Sequence, residues 1–429
     1  MDPNKLRVLQ GVLSEVPFSA FATYPAKAHI PHTFNHTIQH LQELPITSQK
    51  YSGRCWIFAG LNMIRHLMAI KFANIPKTFK LSAVYLCKCD KIEKCNAALE
   101  LLFHVITKAN ITIDSPEYLL IVDGCIEDGG TWGYFIDLVE KYGIIPNEAY
   151  PENHQSGHTY TLNTILRKII LQHGITPSTK RKQFEETKEA IMSKCRYIIE
   201  MFLGTTPTTF EWQNRPTTPL KYWQWVNNVC KLQSYVVISQ FPTEPYQVKL
   251  KIQYAMNMVT PSTSFYKDTQ NTYLNLSPKH FRQAVTKAIR KGTPVWFACD
   301  YGEYLLDKNS LLNTNASNMN TILGTTTPPK KEALKARVAG PNHAMVILGY
   351  NTPPGSSEPN RWKVENSHGT RGRHAGFLTM TQNYFDQFVI TAVVPKSCLP
   401  STVSKTPRSK WLPYYSVLGT VAGNARNHL

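Results

Sequence analysis

Apolar positions change their spacing along the chain, and the changes mark out the elements. From Cys55 to Phe72, in CWIFAGLNMIRHLMAIKF, they surround the first two turns of a helical projection, the pattern of a helix buried on nearly all sides. The preceding LPITSQKYSGRCW carries Pro45, Thr47, Ser48, Ser52 and Gly53 and reads as a loop that delivers the chain to a helix start near Cys55. Residues 1 to about 45 form a mixed arm. Another helix-turn segment is predicted in DGGTWGYFIDLVEKYGIIPNEAYPE (128–152), where Gly129 and Gly130 mark a close backbone approach and Pro146 and Pro151 stop structure.

From about 153 to 290 the pattern turns to long, charged, helix-compatible stretches such as LNTILRKIILQHG and FEETKEAIMSKCRYIIEMFLG, interrupted by TTPTTFEWQNRPTTPL, and predicts an inserted helical domain. Beyond it the short apolar runs in TPVWFACD, HAMVILGY (343–350), RWKVENS and GFLTMT predict strands of one antiparallel sheet. NTNASNMNTILGTTTPPKK reads as a loop between strands, and the chain shows no internal repeat. The expected class is α+β. At 429 residues there is room for two or three domains, or for one large core with a domain-sized insertion. The divisions are 1–152 with the buried helix, 153–290 as the insertion, 291–397 as the sheet half, and 398–429 as a terminal arm.

Composition excludes a wholly disordered, collagen-like or coiled-coil chain, since 42% of residues are hydrophobic and 18% charged. No stretch reaches the ~18 apolar residues of a spanning helix, and MDPNKLRVLQ lacks the apolar run of a signal peptide, so the expectation is a soluble, cytoplasmic protein without membrane contact. The net charge of +18 favours nonspecific attraction to polyanions such as nucleic acid, but the basic residues are dispersed in small clusters, among them Lys180, Arg181 and Lys182, with no groove-reading motif. Nine cysteines in a reducing compartment imply no disulfide framework. Cys87, Cys89 and Cys95 are too tightly spaced, and lack a fourth ligand, for a usual zinc site, so no metal is expected. The sequons at Asn35, Asn110, Asn275 and Asn315 are read as chance.

One constellation carries chemistry. Cys55 stands at a loop-to-helix junction, where unpaired N–H groups favour a thiolate. A cysteine nucleophile needs a base, a group that holds the base's tautomer, and a donor for the developing oxyanion. His343 heads the strand HAMVILGY after the turn Gly340-Pro341-Asn342 and suits the base. Asn366 lies in the next strand, at a separation adjacent antiparallel strands allow, and its amide could orient the ring. Gln49, six residues before Cys55, can reach back as the oxyanion donor.

SQKYSGRCWIFAGLNMIR, GPNHAMVILGY and WKVENSHG, in that order, resemble the nucleophile, histidine and asparagine motifs of papain-like cysteine peptidases, specifically the bleomycin hydrolase and aminopeptidase C branch. DGGTWGYFIDLVEKYGIIPNEAYPE, PVWFACDYGEYL and WLPYYSVLG are similar to the same branch, so the resemblance covers nearly the whole chain. It implies a papain-like core with a helical and a sheet half. It assigns Cys55 as nucleophile, His343 as base, Asn366 as its orienter and Gln49 as oxyanion donor, in a cytosolic cysteine aminopeptidase that needs no cofactor. Gly129, Gly130, Asn342 and the terminal Leu429 would meet a peptide substrate with a free amino terminus. The 288 residues between nucleophile and histidine (343 − 55) exceed the ~130–150 of secreted relatives by a domain's worth, which the resemblance assigns to an insertion that builds a homohexamer. Ser52 stands where those relatives carry a disulfide cysteine. His368 stands where the family usually has Trp over the Asn-His bond. The arm from 398 would enter the active-site cleft and restrict it to amino ends, with self-trimming near Val421 to Gly423. Alternatives are a nucleic-acid-binding protein that keeps the peptidase fold, and a papain-like endopeptidase.

Overall fold

The computed structural model describes the chain except at residues 1–2, 25–26, 39–43, 73, 108–113, 116–117, 119–121, 175–180, 242–245, 254–271, 303, 325–327, 404–406, 414–415 and 420–429. Asn110, Leu429 and the trimming positions Val421 to Gly423 therefore lie outside the described residues. The helices are α1 (Pro3–Glu15), α2 (Phe18–Phe21), α3 (Cys55–Lys71), α4 (Ala83–Thr107), α5 (Trp132–Tyr142), α6 (Tyr160–Gly174), α7 (Arg181–Leu203), α8 (Pro219–Cys230), α9 (Pro278–Arg290), α10 (Met319–Leu323), α11 (Lys330–Lys335) and α12 (Gln382–Phe388). The strands are β1 (His36–Thr37), β2 (Phe210–Trp212), β3 (Arg215–Thr217), β4 (Tyr235–Ser239), β5 (Val248–Gln253), β6 (Thr272–Asn275), β7 (Val295–Cys299), β8 (Leu305–Leu306) and β9 (Leu311–Leu312). Then follow β10 (His343–Asn351), β11 (Arg361–Glu365), β12 (Phe377–Thr381), β13 (Val389–Pro395) and β14 (Ser409–Pro413).

Every residue of α3 from Cys55 to Met68 is buried, as its all-round apolar start requires. The helix is held against the sheet by Trp296, whose Nε1 donates to the Trp56 carbonyl at 3.3 Å. Against α5 it can pack closely because position 60 is glycine: a Cβ there would stand 2.5 Å from the Phe135 ring. The Thr131 hydroxyl accepts from the Tyr134 amide and starts α5 where the sequence places it.

The sheet runs β14-β5-β6-β4-β13-β7-β10-β11-β12-β9-β8, with β1 added on β10. Its centre, β13-β7-β10-β11-β12, is antiparallel, but β12-β9, β4-β6 and β14-β5 are parallel pairs. The four strands expected from the sequence, β7, β10, β11 and β12, do form one antiparallel sheet, and the parallel pairs arise where strands outside that expectation extend it. The extension has one main origin. The segment 153–290 supplies helices α6 to α8 as expected, but its later part forms β4, β5 and β6, and β4 pairs with β13 of the sheet half. That segment is therefore not purely helical, and its last third is continuous with the core. The arm from 398 likewise begins as an edge strand, β14, beside β5.

Candidate active site

Cys55 opens α3, and His343 opens β10. The two meet because β10 lies against α3: the Ala344 amide donates to Cys55 Sγ at 3.4 Å, so the residue after the histidine holds the sulfur. β10 pairs with β11 in a register that sets Val346 opposite Glu365, and this brings Asn366, just past the end of β11, level with the start of β10. His343 Nε2 donates to Asn366 Oδ1 at 2.8 Å. The Ser367 amide donates to the same oxygen at 2.8 Å, which fixes the orientation of the side-chain amide. With Nε2 spent as donor, Nδ1 is left as the acceptor that a thiol proton needs.

Gln49 joins the same cluster across 318 residues of sequence. Ser48 and His368 form an antiparallel bridge, the Gln49 amide donates to the Ser367 carbonyl at 2.8 Å, and Ser367 Oγ donates to Gln49 Oε1 at 2.6 Å. Gln49 Nε2 in turn donates to the Ser52 carbonyl at 2.6 Å, while Ser52 Oγ donates to the Gln49 carbonyl at 2.6 Å. Ser52, where secreted relatives would carry a cysteine, thus closes the loop that aims Gln49. The buried Arg54 tightens that loop, donating to Ser52 Oγ at 2.9 Å and making a bidentate pair with Glu152 at 3.0 and 2.7 Å.

The site is closed. Cys55 has no exposed surface and His343 is 5% exposed. Burial pushes the Cys55 thiol up to about 12, against the Ala344 and Trp56 amides, which favour the thiolate. Burial, with His368 adding to it, pushes His343 down to about 3. Burial thus favours the protonated sulfur and the neutral ring in the resting pair.

Sequence reasoning missed Tyr301. Its ring lies 4.5 Å from the His343 ring, centroid to centroid, and its hydroxyl accepts from Asn366 Nδ2 at 3.1 Å. His368, where the family usually has Trp, lies 4.8 Å from the His343 ring and its Nδ1 accepts from Asn366 Nδ2 at 3.3 Å. Two rings, one phenol and one imidazole, thus share the covering of the Asn-His bond. The position of Tyr301 follows from the sheet: Cys299, two residues before it, pairs with His343.

Asn342 is placed beside the site, but its side chain holds the site together: Nδ2 donates to Asp300 Oδ1 at 3.0 Å, and its Oδ1 accepts from the Tyr301 amide at 2.7 Å. Gly130 lies against the nucleophile helix, where a Cβ would stand 2.3 Å from the Trp56 indole. The Gly129 carbonyl accepts from Lys94 at 2.7 Å. Asp128, just before them, anchors the segment: its carboxylate accepts from the Gly53 amide at 2.8 Å and from Lys91 at 2.6 Å, and its carbonyl accepts from Trp56 Nε1 at 2.8 Å. The end of the described arm packs beside Gly130. Leu418 is buried in a small cleft with Gly130, Trp132, Trp296 and Pro341, and Val417 lies against Gly340. Among the described residues, no group of three or more His, Cys, Asp or Glu side chains could hold a metal.

The profile of the Peptidase C1-like family matches residues 2–412. An aminopeptidase C of Listeria monocytogenes is 29% identical over 93% of this chain and 90% of its own. A bleomycin hydrolase of Rattus norvegicus is 29% identical over 91% and 89%. The crystal structure of pepw from Lactobacillus rhamnosis superposes with a TM-score of 0.83 at 25% identity, covering 98% of this chain and 99% of that one.

Proposed function

The chain belongs to the Peptidase C1-like family, and from that premise we propose that it is a cysteine aminopeptidase that hydrolyses the amino-terminal residue of peptides. Cys55 attacks the scissile carbonyl and forms a thioester, and His343 takes the thiol proton and gives it to the leaving amine. Asn366 holds the ring in the required tautomer, and a Gln49 N–H donates to the oxyanion. Water then cleaves the thioester by the reverse path. The observation that carries the reading is the convergence of Cys55, His343 and Asn366 in one buried cluster. The names of the similar proteins, aminopeptidase C and bleomycin hydrolase, support the class of substrate.

The preference for amino ends comes from the arm. Its described part reaches Leu418, beside Gly130 and Pro341, which supports a role for the arm in selecting free amino termini. The working form is a homohexamer in the cytoplasm, and the exposed Tyr197 and Met201 on the outer face of α7 suit a subunit contact. The test compares leucyl-aminomethylcoumarin with its N-acetylated form, on the full chain and on a chain ended at Pro413. The full chain is expected to cleave only the free-amino substrate, and the shortened chain to gain cleavage of blocked peptides. Equal cleavage of both forms by the full chain would make it an endopeptidase.

A further inference from the structure

The stretch LCKCDKIEKC lies within α4, and its charges would suit a solvated face, yet Asp90, Lys91, Glu93 and Lys94 are all buried. Charges taken out of water need partners that offset the loss of hydration. For Lys94 two of the partners are main-chain oxygens of one loop. Its Nζ donates to the Glu127 carbonyl at 2.7 Å, to the Gly129 carbonyl at 2.7 Å, and to Asp90 Oδ2, one turn back on the same helix, at 2.8 Å. Three acceptors call for three N–H groups, which only the ammonium supplies. Burial pushes Lys94 below the ordinary lysine value, and Asp90 opposes that shift. Lys91 adds a weaker bond to the Glu127 carbonyl at 3.2 Å and pairs with Asp128 Oδ1 at 2.6 Å.

The loop held in this way stands against the residue that follows the nucleophile. Trp56 Nε1 donates to the Asp128 carbonyl, a Cβ at position 130 would stand 2.3 Å from the indole, and Lys94 Nζ lies 5.6 Å from the centre of the Trp56 ring. The carbonyls of residues 127 and 129 are thus tied to α4 and that of residue 128 to α3. We propose that Lys94 is the positioning residue of the Gly129–Gly130 segment: it sets where that backbone lies beside α3, and so where a bound peptide lies relative to Cys55. This rests on the peptidase reading above, in which Gly129 and Gly130 meet the substrate. Lys94 acts through the two carbonyls and not on the reacting atoms. Its part differs from that of Lys91, whose partner Asp128 is also held by the Gly53 amide at 2.8 Å and by Asn163 at 2.8 Å. That anchor survives the loss of Lys94, whereas the bond from Lys94 to Gly129 reaches the residue directly before the close contact with Trp56.

Lys94→Met alone would strand the Asp90 carboxylate, so the test uses the full chain with Asp90→Leu and Lys94→Met together, which removes both charges of the pair. Lys94→Gln, one bond shorter and uncharged, is measured beside it as an independent loss of the same contacts. Two readouts are taken on each folded variant. Amide hydrogen exchange across residues 127–132 is expected to quicken by about tenfold, with exchange in α3 as in the parent. For leucyl-aminomethylcoumarin, KM is expected to rise by about tenfold with kcat within about twofold of the parent, a split that a general loosening of the fold would not give. Exchange across 127–132 at the parent's rate would overturn the proposal, as would an unchanged KM or a fall in kcat without a rise in KM. Failure of the parent itself to turn over the substrate would sink the peptidase reading, and the exchange rates would still decide whether Lys94 holds the segment.

Discussion

At the residue scale the histidine is defined by what surrounds it. His343 must become an imidazolium while the sulfur attacks, and any nearby positive charge opposes that step. His368 is such a group, with its ring 4.8 Å away. Burial, aided by Arg371, lowers its pKa below the usual histidine value, so it stays neutral at neutral pH and takes a proton only as the pH falls through that lowered value. A second cation then stands beside the base and turnover drops. His368→Trp removes this titration and keeps a covering ring. Its kcat/KM is expected to stay near that of the parent at pH 7, and to fall about one pH unit lower on the acid limb, a roughly tenfold difference there. Superimposable pH profiles would show that His368 has no electrostatic part. The gathering of four residues into one cluster was legible from local signals: a loop-to-helix junction for Cys55, a strand head for His343, the next strand for Asn366, and a short reach for Gln49. Tyr301 was not, because its role depends on cross-strand register, which the order of residues does not display.

At the element scale, α3 and β11 share a buried charge cluster behind the site. Arg65 donates to Glu365 Oε1 at 2.7 Å, and His66 pairs with the other carboxylate oxygen. Burial alone would raise the Glu365 carboxyl, but His66 and Arg65 outweigh it and hold the pKa below the usual value. The stability this contributes is present above the unfolded carboxylate value and lost as the pH falls through the depressed folded one. Glu365 directly precedes Asn366, so the cluster also pins the end of β11. Glu365→Ala leaves Arg65 buried without its partner and is expected to cost about 3–5 kcal/mol, read as a lower urea midpoint with unchanged slope. A midpoint equal to that of the parent would contradict the account. The elements that the sequence reading missed have a physical explanation too. VKLKIQ in β5 alternates with period two, Val248, Leu250 and Ile252 being buried, but it follows a long charged helical stretch whose composition dominates the segment. Strands that pair only across distant sequence carry no sign of their partners.

At the scale of the whole molecule the fold gathers chain segments far apart in sequence around the start of α3. The 47–55 loop, the 128–132 turn, the strands at 299 and 343 and the 366–368 loop are linked to one another there, and Leu418 lies beside Gly130. The order of the motifs made this convergence legible, and the sheet explains it, since β7, β10 and β11 are neighbours with α3 across them. Among the described residues, no helix is long and apolar enough to cross a membrane. The central claim is that one thiol, Cys55, does the chemistry with His343 as its base. It is tested most directly by the turnover of leucyl-aminomethylcoumarin with purified, folded Cys55→Ser. The account predicts a loss of about 10⁴-fold or more in kcat with the Tm within a few degrees of the parent. Hydrolysis at the parent's rate by that variant would contradict it.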